Sequence, residues 1–324
     1  MISIVHERPA RPEEWDAYWR HCPSATYYQA RAWSEIWRAA SGGRFQPAPT
    51  MVGFSDGRTA IVPLTKQRRR RGLLHRYHAS PAGTFGGWLA PGELPASHTD
   101  AIEAWLGATR RPLVWRRNPF EPRRDTAVPD PASIEVTHAL DLRGGRTALH
   151  TRWAGSATLR KARKAERAGL TIRAADTLAD WRRYYELYEA SLQRWADDAS
   201  SRYEWPLFEA LAQRMDAGVT LWLAEHGAQP VAGAVCLASP SIVSYWHGAA
   251  DAEAFAARPV NLLLTRVVEH ACNAGFDWFD FGPSGAHTGV RTFKESFRAL
   301  PLSCPLTRFD TAGARVMRAL RLAA

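Results

Sequence analysis

The order of predicted elements in the second half of the chain limits the fold more than any other feature of the sequence. From position 170 onward, apolar periodicity predicts a strand, two helices, three antiparallel strands, a long helix and a final strand. In that order the predicted elements span 170–173, 178–195, 206–215, 219–224, 231–238, 242–247, 261–274 and 278–281. Strands interrupted by helices in this way predict a mixed α/β fold in which the helices cover a sheet.

The first half of the chain also predicts mixed α/β structure. Helical spacing begins near Arg31 and ends near Gly42, and two alternating apolar runs flank the turn at 55–57, which predicts a hairpin. A short strand is predicted at 113–115. Because 324 residues exceed the usual size of one core, we expect two domains, 1–150 and 151–324.

The net charge of +10 is distributed unevenly along the chain. Residues 1–175 hold 28 Lys and Arg against 15 Asp and Glu, whereas 176–324 hold 14 against 17. The whole positive excess therefore lies in the first half and in the segment that follows it. This asymmetry favours an anionic partner for that part of the chain.

Residues 156–169, with the sequence SATLRKARKAERAG, predict one clear helix that joins the two halves. Ser156 is placed to cap its start and Gly169 to end it. Two interpretations remain open. The helix is either a solvated connection between domains or a rail for a polyanion, aided by the basic run 66–71. The basic residues in question are Arg160, Lys161, Lys164 and Arg167, of which the first, third and fourth share one face.

Cysteine usage and hydropathy place the protein in a reducing compartment. The four cysteines are scattered without a CxxC pair, and neither a secretory signal nor an apolar run long enough to span a membrane is present. We therefore expect a cytoplasmic protein with no membrane span. No His, Cys, Asp or Glu spacing is typical of a metal site, so no metal is expected.

The segment 275–297, GFDWFDFGPSGAHTGVRTFKESF, is the strongest candidate for a ligand site. A predicted strand carries Asp280, a loop containing Gly285 and Gly289 follows, and Phe293 and Lys294 enter the next element. Ligands of open α/β sheets bind where strands end in such loops. The alternative interpretation of Lys294 is a surface cation.

Three stretches of the chain resemble the Fem-type peptidoglycan-bridge aminoacyltransferases and their GNAT relatives. The most specific stretch consists of FDFGPS, TGV and FKESF; the others are RKARKAERAGL at 160–170 and, nearer the N-terminus, YYQARAWSEIW with FGGWLAP. The resemblance extends over roughly 20–305. It implies two tandem GNAT-like domains with mixed α/β (α+β) sheets, joined by the basic helix.

The resemblance also implies a reaction, the transfer of an activated acyl or aminoacyl group to an acceptor amine. In the family the lysine of the Phe-Lys pair lies near the reacting carbonyl, which assigns that role to Lys294 with Phe293 beside it. A cation at hydrogen-bond distance would stabilise the negative charge that develops on the carbonyl oxygen. Because the leaving group can accept the proton, a base in the protein is not strictly required.

One departure from the GNAT pattern concerns the donor. GNAT enzymes that use coenzyme A usually carry a glycine-containing loop before the long helix, whereas 252–265 contains no glycine. Arg258 is the remaining candidate phosphate contact. Aminoacyl-tRNA and acyl-CoA (or an acyl carrier protein) both stay open as co-substrates, and no tightly bound cofactor is expected.

Further candidate residues surround this predicted site. Asp280 is placed to orient an acceptor amine and His247 to accept its proton, while Tyr245, predicted to share a strand face with His247, and Arg194 and Arg202 are candidate acceptor contacts. The acceptor could be a cell-wall precursor, an amino sugar or a small amine. The competing hypothesis is a non-catalytic RNA-binding or scaffold protein that retains the GNAT fold.

Overall fold

The computed structural model describes residues 1–69, 74–109, 111–122, 134–195, 202–285 and 287–309. They form two compact units: unit 1 comprises Met1–Glu135 and the stretch from Ser303, and unit 2 comprises Val136–Leu302. The chain thus changes unit earlier than the predicted position of 150/151. The physical reason is a strand that begins at Ile134 and pairs with the sheet of unit 2.

Unit 1 is a sheet with helices between its strands. In the order β1-β2-β3-β4-β5-β12, β4 and β5 run parallel and the other described neighbours run antiparallel. The strands are β1 (Ile4–Pro9), β2 (Phe45–Phe54), β3 (Thr59–Arg69), β4 (Leu74–His78), β5 (Leu113–Arg116) and β12 (Leu300–Phe309). The helices are α1 (Pro12–His21), α2 (Arg31–Ala40) and α3 (Ala96–Ala108).

The predicted hairpin of unit 1 is confirmed. Gly57 adopts φ +87° in the turn between β2 and β3, a left-handed conformation that favours glycine. The N–H of Phe54 donates to the carbonyl oxygen of Arg58 at 2.8 Å and closes the turn. Helix α2, also predicted, buries Trp33, Ile36 and Trp37.

Unit 2 confirms the predicted order of elements. Its sheet has the order β6-β11-β10-β9-β8-β7, and β10 and β11 are its parallel pair among the described residues. The strands are β6 (Ile134–Asp141), β7 (Leu170–Ala174), β8 (Val219–His226), β9 (Gln229–Ala238), β10 (Ile242–Ala250) and β11 (Trp278–Pro283). The helices are α4 (Gly145–Trp153), α5 (Ala157–Arg167), α6 (Leu178–Trp195), α7 (Trp205–Ala212), α8 (Pro259–Asn273) and α9 (Thr288–Glu295).

Helices cover both faces of the unit 2 sheet. On one face, α8 packs Leu263, Leu264 and Val267 into a core with Phe279 and Phe281 of β11. On the other face, Tyr184 of α6 lies directly over Gly233, where an added Cβ would come within 2.4 Å of the tyrosine ring. The sheet is therefore buried on both sides, as its continuous apolar strands predict.

One part of the predicted site has a different local structure. The predicted loop through Gly289 is wrong, because α9 begins at Thr288 and includes this glycine. The helix is held by aromatic packing, in which Phe293 contacts Phe297 with ring centroids 5.3 Å apart. Phe297 in turn contacts Phe281 of β11 at 5.1 Å. Helix α9 is consequently fixed against the strand that carries Asp280.

Candidate active site

Strands β10 and β11 separate from each other in the middle of the unit 2 sheet. Their parallel register runs from Ile242 opposite Trp278 to Ser244 opposite Asp280. Beyond that point β10 stays paired with β9 as far as Ala250, and β11 stays paired with β6. The divergence leaves the carboxyl ends of two parallel strands apart, which is where open α/β sheets bind ligands.

A bulge in β11 shapes this divergence. Asp280 lies opposite Ala139 of β6, but the next registered pair is Pro283 with Thr137, so β11 has one extra residue there. Gly282 lies in the bulge with φ +72°, and a Cβ at this position would come within 3.4 Å of the Tyr245 carbonyl oxygen. Glycine therefore allows both the turn of the strand and its close approach to β10.

Asp280 is completely buried at the divergence. Its Oδ1 accepts hydrogen bonds from Thr137 Oγ1 at 2.6 Å and from the Gly282 N–H at 2.9 Å. Its Oδ2 accepts no hydrogen bond of regular geometry from the described residues, but the Ser244 hydroxyl lies close enough to stabilise the carboxylate. Burial raises the pKa of Asp280 to about 6, although Thr137, the Gly282 N–H, the charge of Lys294 and the Ser244 hydroxyl oppose this rise.

Lys294 extends from α9 to the same point and is 5% exposed. Its Nζ donates to the carbonyl oxygens of Gly282 at 2.7 Å and of Pro283 at 2.8 Å. Burial lowers its pKa to about 8, and the charge of Asp280 opposes this. Two of three N–H groups are used within the described structure, and the third is left for another acceptor. The alternative interpretation of Lys294 as a surface cation is therefore wrong.

Phe293, predicted beside the reacting group, has a packing role in the structure. It is partly buried against the unit 2 core and against Phe297. Two hydrogen bonds hold the end of α9 nearby: Trp153 Nε1 donates to the Phe297 carbonyl at 2.7 Å, and Thr158 Oγ1 donates to the Ser296 carbonyl at 2.7 Å. These contacts fix the helix from which Lys294 projects.

The prediction that Tyr245 and His247 share a strand face is wrong. Tyr245 pairs with Cys236 and His247 with Val235, so Trp246 is an extra residue in a bulge. Adjacent partners on β9 point to opposite faces, which puts Tyr245 on the α8 side and His247 on the α6 side. Alternation cannot be extrapolated through a bulge, and the sequence contains no signal for this one.

His247 lies in an aromatic core. Tyr184 Oη is 2.6 Å from its Nδ1, and the rings of Tyr188 and Phe208 lie at 4.6 and 5.3 Å. Burial lowers the pKa of His247 to about 3, which keeps the imidazole neutral at physiological pH. A histidine in this environment is a poor acceptor for a proton, so Asp280 is the better base of the two.

Two of the three predicted arginine contacts lie near the start of α8. The guanidinium of Arg194 stacks over Phe255 at 5.1 Å and donates to the Ala250 carbonyl at 3.4 Å. The Arg258 N–H donates to the Phe255 carbonyl at 3.1 Å, and Arg258 itself adopts φ +62° before the helix. Arg202 is exposed and follows 196–201, a segment outside the described residues.

The start of α8 offers few free donors for a pyrophosphate. Pro259 has no N–H, and the N–H groups of Asn261 and Leu262 both bond to the Arg258 carbonyl, at 3.2 and 3.4 Å. Asn261 Nδ2 is buried without a partner among the described residues. The sequence did not indicate Asn261, Thr137 or Ser244, because isolated polar residues in apolar elements carry no pattern.

Helix α5 has the bounds its sequence predicts, but it does not join the two units, because unit 2 begins at Val136 and includes the whole helix. The Ser156 hydroxyl accepts a hydrogen bond from the Leu159 N–H at 3.3 Å, and Ala162 and Ala165 are buried with Leu262 of α8. Glu166, the one acid of α5, is ion-paired with Arg266. The basic side chains of α5 have no carboxylate partner among the described residues. Lys161 is half-buried, and the other four are exposed, namely Arg160, Arg163, Lys164 and Arg167.

The described residues contain neither a metal-binding cluster nor a membrane-spanning helix. No group of three or more His, Cys, Asp or Glu could hold a metal ion within the described ranges. No helix in the part of the chain that the structure describes has the length and hydropathy needed to cross a membrane.

Much of unit 2 is similar to a known family of domains. Residues 156–295 match the family model for the acetyltransferase (GNAT) domain. No curated protein gives a significant sequence match to the chain. The family match covers the divergence of β10 and β11, Asp280 and Lys294.

Solved structures share the fold of the whole chain. FemX matches with a TM-score of 0.67 at 14% identity, covering 93% of this chain and 96% of that one. L-PGS from Bacillus licheniformis matches with a TM-score of 0.57 at 13% identity, covering 94% of this chain and 93% of that one. A tandem GNAT protein from the clavulanic acid biosynthesis pathway matches with a TM-score of 0.51 at 12% identity, covering 95% of this chain and 98% of that one. These likenesses confirm the predicted fold, and the match of residues 156–295 to the acetyltransferase (GNAT) domain supports an acyltransferase.

Proposed function

We propose that the enzyme forms an amide by transferring an aminoacyl group from aminoacyl-tRNA to an acceptor amine, at the divergence of β10 and β11. The observation that carries this proposal is that a tethered lysine and a buried carboxyl group both bond the backbone of Gly282. Lys294 Nζ is held by the carbonyl oxygens of Gly282 and Pro283, and the Gly282 N–H bonds Asp280 Oδ1. Asp280 Oδ2 accepts no hydrogen bond of regular geometry from the described residues.

The two side chains have complementary roles in this reaction. The amine nitrogen attacks the ester carbonyl, and the remaining N–H of Lys294 stabilises the negative charge on the carbonyl oxygen. Asp280 Oδ2 takes the proton that the amine loses. The carbon–oxygen bond of the ester then breaks, and the tRNA hydroxyl leaves with a proton returned from Asp280. The pKa of Asp280, about 6, suits this exchange near neutral pH.

Two features of unit 2 support an RNA-linked donor. The exposed cations of α5 lack carboxylate partners among the described residues, so a phosphate backbone can pair with them. At the start of α8, the N–H groups of Asn261 and Leu262 are already used by the Arg258 carbonyl. A pyrophosphate would find few free donors there.

Acyl-CoA is the second candidate donor. The divergence of β10 and β11 and the match to an acetyltransferase domain favour it. Arg258 and the orphaned amide of Asn261 would then contact the phosphates of the donor. For either donor the acceptor is an amine, carried by a cell-wall precursor, an amino sugar or a small molecule, and Tyr245, Arg194 and Arg202 remain proposed acceptor contacts.

The test offers charged tRNA and acetyl-CoA separately and measures protection against thermal unfolding together with single-turnover amide formation. The α5 variant R160Q/K164Q/R167Q should lose most of its transfer from charged tRNA. A matched control, R143Q/R146Q/R152Q, removes the same charge elsewhere in unit 2 and should retain transfer. Protection by acetyl-CoA alone would overturn the tRNA donor and favour the second candidate.

A further inference from the structure

A row of three polar side chains crosses the middle of the unit 2 sheet. Ser244 of β10 lies opposite Asp280 of β11 in the parallel register, and Asp280 lies opposite Ala139 of β6. Thr137 is two positions before Ala139 and therefore points to the same face of β6. The three polar side chains are completely buried, with an exposed fraction of 0% each. The row thus lies inside the fold, at the divergence of β10 and β11.

The hydroxyl group of Thr137 bonds the carboxyl group of this row. Its Oγ1 donates to Asp280 Oδ1 at 2.6 Å. By contrast, the buried Thr265 of α8 donates to the Asn261 carbonyl of its own helix at 2.7 Å. A hydrogen bond to an ionised acceptor is shorter and stronger than a bond between neutral groups. The bond from Thr137 is therefore a strong constraint on the carboxylate.

Two hydrogen bonds to one oxygen fix the whole carboxyl group. Asp280 Oδ1 accepts from Thr137 of β6 and from the Gly282 N–H of β11. Because a carboxyl group is planar, these two donors also set the direction of Oδ2, which accepts no hydrogen bond of regular geometry from the described residues. A β-branched threonine in a strand has a restricted χ1 angle, so its oxygen is a stiff anchor.

The groups that act on the charge of Asp280 come from four elements. Burial raises its pKa to about 6, and this rise is opposed by Thr137 of β6, the Gly282 N–H of β11, Lys294 of α9 and Ser244 of β10. Among these four, Thr137 opposes the rise most. Without its hydroxyl group, the carboxyl group would keep its proton to a higher pH.

We propose that Thr137 is a positioning residue for Asp280, which holds the carboxyl group in the orientation and the ionised form that accept a proton at the divergence of β10 and β11. Thr137 acts only through Asp280. The inference rests on the proposed function in one respect, the role of Asp280 as the base. The effect of Thr137 on the carboxyl group itself does not depend on any substrate.

The first measurement needs no substrate. Isotope-labelled carboxyl carbons of aspartate are followed by NMR against pH, and D280N identifies the signal of Asp280. Its midpoint should lie near 6 in the wild type and about one pH unit higher in T137V, because a hydrogen bond to a charged group is lost. T137S retains the hydroxyl group and should keep the midpoint within about 0.3 pH units of the wild-type value.

T65V is the matched control for this measurement. Thr65 of β3 is also completely buried, and its hydroxyl group has no hydrogen-bond partner among the described residues. The same substitution at this position should leave the midpoint of Asp280 unchanged. T137A supplies a second variant without the hydroxyl group if T137V does not fold, and it differs from T137S by one oxygen atom. Thermal unfolding checks the fold of each variant.

The second measurement is the pH dependence of transfer, with the donor and acceptor that support wild-type turnover. In T137V the acidic limb of kcat/KM should move up by about one pH unit. At pH 6 the value should therefore fall about fivefold, and the loss should shrink as the pH rises. The double variant T137V/D280N should react like D280N, because Thr137 acts through the carboxyl group.

The outcomes separate this inference from the proposed function. Equal midpoints for T137V and wild type would overturn the inference, as would a midpoint in T137S that shifts as far as in T137V. A further loss of rate on adding T137V to D280N would also overturn it. If the midpoint shifts in T137V but D280N transfers like wild type, the proposed function loses its base and the effect of Thr137 on the carboxyl group stands. If D280N loses transfer and T137V shifts nothing, only this inference fails.

Discussion

Lys294 and Asp280 are linked through one residue, Gly282. The Gly282 carbonyl accepts a hydrogen bond from Lys294 Nζ at 2.7 Å, and the Gly282 N–H donates to Asp280 Oδ1 at 2.9 Å. The left-handed φ of +72° at this glycine lets its N–H and its carbonyl group both face the site. The bulge in β11 therefore sets the position of the lysine and of the carboxylate together.

Replacing Lys294 should abolish transfer without unfolding the protein. In K294M the oxyanion loses its cation, and kcat/KM should fall by about 10²- to 10³-fold. The loss is measured with the donor that supports wild-type turnover, and circular dichroism checks the fold. R143M, which removes a surface cation paired with Asp141, serves as the control and should stay within about twofold of wild type. Wild-type turnover by K294M would remove Lys294 from the mechanism.

The pH dependence of kcat/KM for transfer should be bell-shaped. Asp280 must be ionised to accept a proton, so kcat/KM should rise through a pKa of about 6. Lys294 must be charged, so the rate should fall again through about 8. D280N should lose the acidic limb and react more slowly over the whole range. An unchanged acidic limb in D280N would show that another group is the base.

Asp280 should also affect stability, with a defined sign. Its pKa is raised in the folded state relative to the ordinary value of 3.8, so the folded state binds more protons between about pH 4 and 6. Its contribution is therefore most favourable below pH 4 and is lost as pH rises through 6. Urea unfolding of wild type and D280N should show a difference that changes by up to about 3 kcal/mol across this window. A constant difference would contradict the raised pKa.

His247 should not titrate in the physiological range. Its burial lowers the pKa to about 3, so its imidazole NMR signals should stay constant from pH 5 to 8. Y184F removes the hydroxyl 2.6 Å from Nδ1 and should cost about 1 to 2 kcal/mol of unfolding free energy. Turnover of Y184F at low temperature should remain near wild type. A titration near pH 6.5, or a large loss of kcat in Y184F, would return His247 to a catalytic role.

Asn261 offers a test that separates structural from donor-binding roles. Its Nδ2 is buried without a partner among the described residues, so N261L should raise the melting temperature of the free protein or leave it unchanged. If the amide contacts the donor, the same variant should lose part of the thermal protection that acetyl-CoA or charged tRNA confers. An unchanged protection by both compounds would exclude this contact.

Local patterns in the sequence predicted most elements of the fold. Helix α5 is predicted at both ends, because Ser156 caps it and Gly169 adopts φ +81° beyond it. The turn at Gly57 and the order of elements in unit 2 are likewise properties of neighbouring residues. The motif around Lys294 also identified the segment that carries the candidate site.

Long-range pairing accounts for what the sequence did not predict. Thr137 belongs to a strand 143 positions before Asp280, yet its hydroxyl lies 2.6 Å from the Asp280 carboxylate. The bulge at Trp246 puts Tyr245 and His247 on opposite faces of β10, and the predicted loop through Gly289 is part of α9, where Phe293 packs against Phe297. Each of these depends on contacts between residues that are distant in the sequence.

The sequence by itself determined the order of helices and strands, the basic first half and the importance of the segment around Lys294, because apolar period, caps, turns and charge are local properties. Only the tertiary structure decided how Lys294, Asp280 and Thr137 meet at the divergence of β10 and β11. It also decided that the pKa of Asp280 rises and that of Lys294 falls, since burial is a property of the fold.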